Sequence, residues 1–226
     1  MLKDRQAANR EFAEYKEMSM NQAKRLASIK SKIDPILPRH RDLYYDGKWH
    51  KPRGGYLDTW NPATGESLGP CAEANAADVD AAVRAAHKAF QDWRRVKPLE
   101  RAALMKKVAG VLRANAAELA MIDAANCGNP VREMSRDAVV AAMQFDFFAG
   151  LVTEMKGETI PMGDGVVNMS VREPYGVVGR IVAYNHPLMF TAGKSAPPLA
   201  AGNTVVMKPP YQAPLPTSGT GGPGLP

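Results

Sequence analysis

The stretch Arg172-Glu-Pro-Tyr-Gly-Val-Val-Gly-Arg-Ile-Val-Ala-Tyr-Asn-His-Pro-Leu-Met-Phe190, continued by Leu199-Ala-Ala-Gly-Asn-Thr-Val-Val-Met-Lys-Pro209, decides the fold class. Residues 177–183 form a short apolar run rich in β-branched side chains, as a buried strand does. Pro187 suits the first turn of a helix that reaches Ala201, and Gly202 is its stop. Thr204–Met207 offers a second buried strand. Strand, helix and strand within about 30 residues make a βαβ unit, which needs parallel strands and a right-handed crossover. The fold class read from this stretch is α/β.

Upstream of it, Val167, Met169 and Val171 alternate with Asn168, Ser170 and Arg172, the period of a strand with one face covered. Three helices precede that strand. In the first, Asn75 with Asp78 resembles an N-cap arrangement, and Val79, Val83, Ala86, Phe90 and Trp93 share one face. The second runs from about Pro98 to Cys127, with Leu104, Val108, Leu112, Leu119 and Ile122 as its apolar stripe and Gly128 as a left-handed C-cap. The third opens with Pro130 and buries Val140, Met143, Phe147 and Leu151. Before them, Tyr44-Tyr45-Asp46-Gly47-Lys48-Trp49 carries the Asp-Gly signal of a β-hairpin. Residues 1–33 read as a polar helical leader.

Composition bounds what the 226 residues do. Hydrophobic residues make up 45% and charged residues 23%, ordinary globular usage. Nothing approaches the roughly 18 uninterrupted apolar residues of a membrane span, because Arg180, Asn185, His186 and Lys194 interrupt the best candidate. The start mixes both charges without an apolar stretch behind it, and two cysteines make no disulfide framework, so a cytoplasmic setting is expected. Residues 1–55 hold 13 Lys/Arg against 7 Asp/Glu, whereas residues 56–226 hold 16 of each. The basic excess thus belongs to the leader. Its interleaved acids and lack of an aromatic platform argue for a solvated helix rather than a nucleic-acid arm.

Several motifs dissolve on inspection. Gly219-Thr-Gly-Gly-Pro-Gly224 matches G-x-G-x-x-G literally, yet it follows Pro214 and Pro216 and precedes no helix, so it makes no dinucleotide site. His40, His50, His87 and His186 are dispersed, and Cys71 and Cys127 lie far apart, so no metal site is expected. Cys127 falls at a helix C-terminus, where the dipole opposes a thiolate. Eight of the residues 213–226 are Pro or Gly, which predicts a disordered tail with no helix.

Residues 172–214 closely resemble the N-terminal half of the NAD(P)-dependent aldehyde dehydrogenase superfamily. The resemblance covers residues 43–215 and includes Asp46-Gly-Lys-Trp49, Asn61-Pro-Ala-Thr-Gly-Glu66, the Phe90/Trp93 helix, Gly157-Glu-Thr-Ile-Pro161 and Ala200-Ala-Gly-Asn-Thr-Val205. It implies the N-terminal portion of that fold: a helical segment, a β-hairpin arm near 157–173, and the first βαβ unit of a Rossmann-like sheet. The expected organisation is a leader over 1–42, an incomplete cofactor-binding domain over 43–212, and a tail over 213–226.

The resemblance also assigns roles. In the family a cysteine thiolate attacks an aldehyde, hydride leaves for NAD or NADP, and a glutamate-activated water releases the carboxylic acid. Asn185 matches the asparagine whose amide steadies the oxyanion. Ile181, Val182, Ala183, Tyr184 and Asn185 match the strand end lining the cofactor cleft, and Lys208 matches the lysine that reaches the adenosine ribose. Tyr211 stands where the family usually has a ribose-binding glutamate, which leaves NAD against NADP open. Tyr184 and His186 replace residues that are commonly tryptophan and phenylalanine. No Gly-Gln-x-Cys segment occurs, so a truncation or frameshift near Pro214 and an inactive chain are expected. The full-length form is expected to oligomerise through the hairpin arm. The alternative is a non-catalytic fragment that binds nucleotide weakly or associates with a full-length homologue.

Overall fold

The computed structural model describes residues 2–219. They fall into two compact units, one ending at Leu37 and the other beginning at Pro38. The first is the long helix α1 (Leu2–Ile33) followed by a single 3-10 turn, Asp34–Ile36. The leader therefore ends earlier than the expected residue 42. Arg41 explains the shift: its Nη2 donates to the Leu68 carbonyl at 3.0 Å, and its own carbonyl accepts from the Ala72 amide at 2.9 Å.

The second unit opens with two antiparallel hairpins. β1 (Leu43–Tyr45) pairs with β2 (Lys48–His50) through Asp46 and Gly47, both with positive φ, the two-residue turn that Asp-Gly favours. β3 (Tyr56–Trp60) pairs with β4 (Ser67–Ala72). Helix α2 (Ala76–Trp93) starts on a full capping box: the Asn75 side-chain oxygen accepts from the Ala77 and Asp78 backbone amides, and the Asp78 carboxylate accepts from the Asn75 backbone amide. Its Phe90 is buried and its Trp93 indole donates to the Leu199 carbonyl at 3.2 Å, but Val79 and Val83 stay exposed. Only the C-terminal part of the expected stripe is covered.

The expected helix from Pro98 to Cys127 is two helices, α3 (Pro98–Ala114) and α4 (Ala116–Cys127). Asn115 leaves helical geometry and its side-chain amide takes the Val111 carbonyl at 2.8 Å, the local competition that makes asparagine a helix breaker. Gly128, at φ 83°, caps α4 as predicted. Pro130 leads into the short α5 (Val131–Met134), and a separate α6 (Asp137–Gly150) follows.

The buried face of α6 is not the predicted one. Met143 and Phe147 are 59% and 62% exposed, Leu151 is also exposed, and Val140 is only half-buried. The core side of α6 is Ala138, Ala141, Ala142, Phe145 and Ala149, packed with Met105, Ala109 and Leu112 of α3 and with Leu188 and Ala192. Leu104 and Val108 of α3 likewise face outward. Small side chains let helices approach closely. An added Cβ at Gly193 would sit 2.5 Å from the Gln144 amide oxygen and 3.4 Å from the Ala141 Cα.

β5 (Thr159–Pro161) and β6 (Val167–Met169) form the expected antiparallel hairpin, with every residue of both strands exposed. The strand period is there and the covering face is not. β7 (Val177–Ile181) and β8 (Thr204–Lys208) then pair in parallel, completing the βαβ unit. Its crossover is two short helices, α7 (Pro187–Gly193) and α8 (Ala196–Ala200), instead of one. Pro197 and Pro198 lack the amides that would continue the first helix, so they start a second. The expectation of a tail without a helix is corrected over 213–219. There α9 (Leu215–Gly219) packs with Leu215 wholly buried. The Asn126 side-chain oxygen accepts from the Leu215 amide at 2.9 Å, and the Thr191 and Thr217 hydroxyls share a hydrogen bond at 2.8 Å. Pro216 sits in the first turn, where its missing N–H removes no helical bond. Residues 220–226, with most of the G-x-G-x-x-G pattern, lie outside the described residues.

Asn203 sets the βαβ register. Its side-chain oxygen accepts from the Gly176 amide at 2.9 Å and its side-chain nitrogen donates to the Pro198 carbonyl at 3.1 Å. The Pro198 carbonyl also accepts from the Asn203 backbone amide, so Asn203→Ala orphans chiefly the Gly176 N–H. One buried unsatisfied donor costs about 1–3 kcal/mol. Urea titration of Asn203→Ala should show a loss of that size, and an unchanged midpoint would contradict this account.

Candidate functional site at the strand ends

The C-terminal ends of β7 and β8 meet at Ile181 and Lys208, which are partners in the parallel register. The Val182 amide extends the ladder by donating to the Lys208 carbonyl at 3.1 Å. Beyond it the chain turns through residues 182–186 into α7. Strand alternation persists here: Ile181 and Ala183 are exposed, and Val182 between them is buried. Tyr184 and Asn185 follow on the outer rim, and Tyr211 stands exposed beyond β8. The edge of an open α/β sheet where such ends converge is where these folds bind ligands.

The structure therefore brings Ile181, Ala183, Tyr184, Asn185 and Lys208 onto one open edge. Val182 contributes only backbone there, its side chain facing the core. Two polar groups on the edge are unspent. Neither the Lys208 ammonium nor the Asn185 side-chain amide has a hydrogen bond or ion pair among the described residues. Chemically, this edge offers an apolar shelf of Ile181 and Tyr184, a cation, and a neutral amide donor.

Behind the edge lies a polar cluster that sequence reasoning did not assemble. His186 Nδ1 lies 3.0 Å from one oxygen of Asp137 and 3.3 Å from the other. The Asn129 side-chain amide donates to the Asn185 carbonyl at 2.7 Å. Asp137 is buried, and Asp123 is wholly buried, with neither of its oxygens in a well-formed hydrogen bond. Burial pushes the Asp123 carboxyl up to about 7; the charge of Asp137 adds to this and the Leu188 backbone amide opposes it. Asp137 is also raised by burial, with His186 pulling it back. The one available signal was an aspartate within the apolar run Ala120–Ala125; its partners lie far away in sequence.

The model of the aldehyde dehydrogenase family matches residues 49–218. The aldehyde dehydrogenase tropH of Talaromyces stipitatus is 48% identical over 187 residues, covering 81% of this chain and 36% of that protein. The fluoroacetaldehyde dehydrogenase of Streptantibioticus cattleyicolor is 38% identical over 182 residues, covering 80% of this chain and 36% of its own. Among solved structures, PnpE in complex with nicotinamide adenine dinucleotide is 40% identical with a TM-score of 0.77, covering 80% of this chain and 37% of that one. The chain thus spans a little over a third of the length of the relatives it matches.

Neither cysteine lies at the strand ends. Cys127 ends α4, with its Sγ 3.7 Å from the Met134 sulfur. Burial above all pushes its thiol up to about 11; the Asn129 amide opposes this, and the nearby Asp123 and Asp137 add to it. At pH 8 such a thiol is about 100-fold less ionised than an ordinary one. In a Cys71→Ser background, a disulfide-exchange reagent should modify Cys127 about tenfold more slowly than in the urea-unfolded chain at the same pH, because the greater nucleophilicity of a high-lying thiolate offsets part of its scarcity. Equal rates would show that folding does not suppress this thiol, and a faster rate in the folded chain would show an activated one.

Proposed function

The chain belongs to the aldehyde dehydrogenase family, and from that membership we propose that it is the N-terminal part of an enzyme oxidising an aldehyde to a carboxylic acid with NAD or NADP. It supplies the oxyanion donor, Asn185, and one wall of the cofactor cleft, formed by Ile181, Val182, Ala183, Tyr184, Asn185 and Lys208. The observation that carries this reading is the strand-end edge, where a lysine and an amide without partners among the described residues flank an exposed apolar shelf.

The residues fit the adenosine side of such a cofactor. Ile181 and Tyr184 offer apolar surface to a planar ring, and Lys208 presents an uncommitted donor to hydroxyl or phosphate oxygens beside them. When bound, the nicotinamide accepts hydride from the substrate carbon. Asn185 presents a neutral donor, which stabilises developing negative charge on an aldehyde oxygen without a proton to lose. Tyr211 brings one hydroxyl rather than a carboxylate to the ribose side, so both cofactors belong in the test.

No cysteine in a Gly-Gln-x-Cys setting occurs in the 226 residues, and the high-lying Cys127 thiol is a poor substitute. The chain is therefore expected to bind cofactor without turning over. Titration calorimetry with NAD and NADP should show binding that Lys208→Ala weakens about tenfold, the scale of one charge-assisted hydrogen bond. Absence of binding for both cofactors would sink the cleft assignment. Reduced cofactor appearing with a panel of aldehydes, and disappearing in Asn185→Ala, would sink the inactivity.

A second reading rests on the β5–β6 hairpin, where Val167, Met169 and the following Val171 are 78%, 64% and 74% exposed. A two-stranded ribbon with both faces open gains by pairing. In this second role the chain associates through the arm, with a full-length homologue or with itself. Light scattering should show mass rising with concentration, reduced by Val167→Lys with Met169→Lys. A strict monomer throughout would remove this role.

A further inference from the structure

We propose that His186, held by Asp137, is the positioning residue that fixes the turn presenting Asn185. This inference rests on reading Asn185 as the oxyanion donor.

The Asn185 side chain has no partner of its own among the described residues, so its amide is placed only by the backbone that carries it. That backbone is pinned at three points. The Val182 amide bonds the Lys208 carbonyl at 3.1 Å, the Asn129 side chain bonds the Asn185 carbonyl at 2.7 Å, and His186 reaches Asp137 at 3.0 Å. The first pin is sheet and lies three residues from Asn185. The second is a single contact to a half-buried side chain outside any helix or strand. His186 is the covalent neighbour, and its partner is rooted in the core.

His186 holds the N-cap position of α7, with φ −142° and ψ 65°, yet its side chain caps nothing. Serine, threonine, aspartate or asparagine would serve a cap better. The ring instead crosses to the first turn of α6, packing edge-on against Phe190 with ring centres 6.0 Å apart. With Asp137 ionised its carboxylate only accepts, and Nδ1 then carries the proton of this bond. Asp137 is 3% exposed, and among the described residues His186 is the one side chain that hydrogen-bonds it. A buried carboxylate strongly prefers that partner to none, which makes the anchor stiff. Asp123, buried alongside without a well-formed hydrogen bond, adds a second carboxyl that α4 turns toward the same cluster.

The test uses the whole chain, labelled with nitrogen-15 at asparagine, with the Asn185 signals identified by their loss in Asn185→Gln. His186→Phe keeps the aromatic packing and removes the donor. It should move or broaden the Asn185 backbone and side-chain signals by more than a linewidth, while Asn126 and Asn203 stay in place. Asp137→Asn retains a carbonyl acceptor and should leave Asn185 as in the native chain, whereas Asp137→Ala should reproduce His186→Phe. If Asp137→Ala does not fold, the other two variants decide. A folded His186→Phe chain with unmoved Asn185 signals overturns the proposal, as does Asp137→Asn behaving like His186→Phe. Adding NAD or NADP to the native chain decides the underlying reading separately. Asn185 signals that respond to His186→Phe but to neither cofactor keep the positioning role and remove the cleft assignment; the reverse pattern does the opposite.

Discussion

The arrangement of the strand ends depends on one buried amide. Asn203 binds the backbone entering β7 at Gly176 and a carbonyl within α8 at Pro198, so it ties the first strand of the βαβ unit to the turn that launches the second. Once Gly176 and Thr204 are side by side, the parallel ladder is set, and it ends with Ile181 opposite Lys208. A shift of one residue would send Ile181 inward and Val182 outward. Arg101 reinforces the same turn from α3. It is buried, and its Nε donates to the Ala200 carbonyl and its Nη1 to the Val96 carbonyl, both at 3.0 Å. A cation there satisfies carbonyls that a helix C-terminus leaves open.

The helical layer beneath that turn is governed by size more than by hydrophobicity. α6 places its alanines against α3 and α7 and leaves Met143 and Phe147 outside. A reading that ranks side chains by apolar character favours the large ones, whereas close helix packing favours the small ones. The outward residues of α2, α3 and α6 join the open β5–β6 hairpin in giving the unit more exposed apolar surface than a self-contained core needs. This fits a chain that spans a little over a third of the relatives it matches.

Electrostatics divides the molecule into two regions. At the strand ends the polar groups are exposed and uncommitted. Immediately behind them, Asp123, Asp137 and Cys127 lie where burial disfavours charge, and all three are shifted toward the protonated form. The anionic form of Asp137 is sustained by its bond to His186.

What the residues alone determined was local or carried by motif. The Asp46-Gly47 turn, the Asn75 cap, the Gly128 stop, the βαβ order and the family follow from short patterns whose physics is complete within a few positions. Asn185 and Lys208 were singled out by resemblance, and the pairing of Lys208 with Ile181 at the strand ends came with the parallel register. The rest was decided by tertiary contact. Asn126 seats α9 in a segment whose proline and glycine content argued against any helix. Ala141 and Gly193 choose the buried side of α6 by proximity. The His186–Asp137 bond joins residues 49 positions apart. No local pattern encodes such pairs, because their energies depend on distances and desolvation that exist only after the chain has packed.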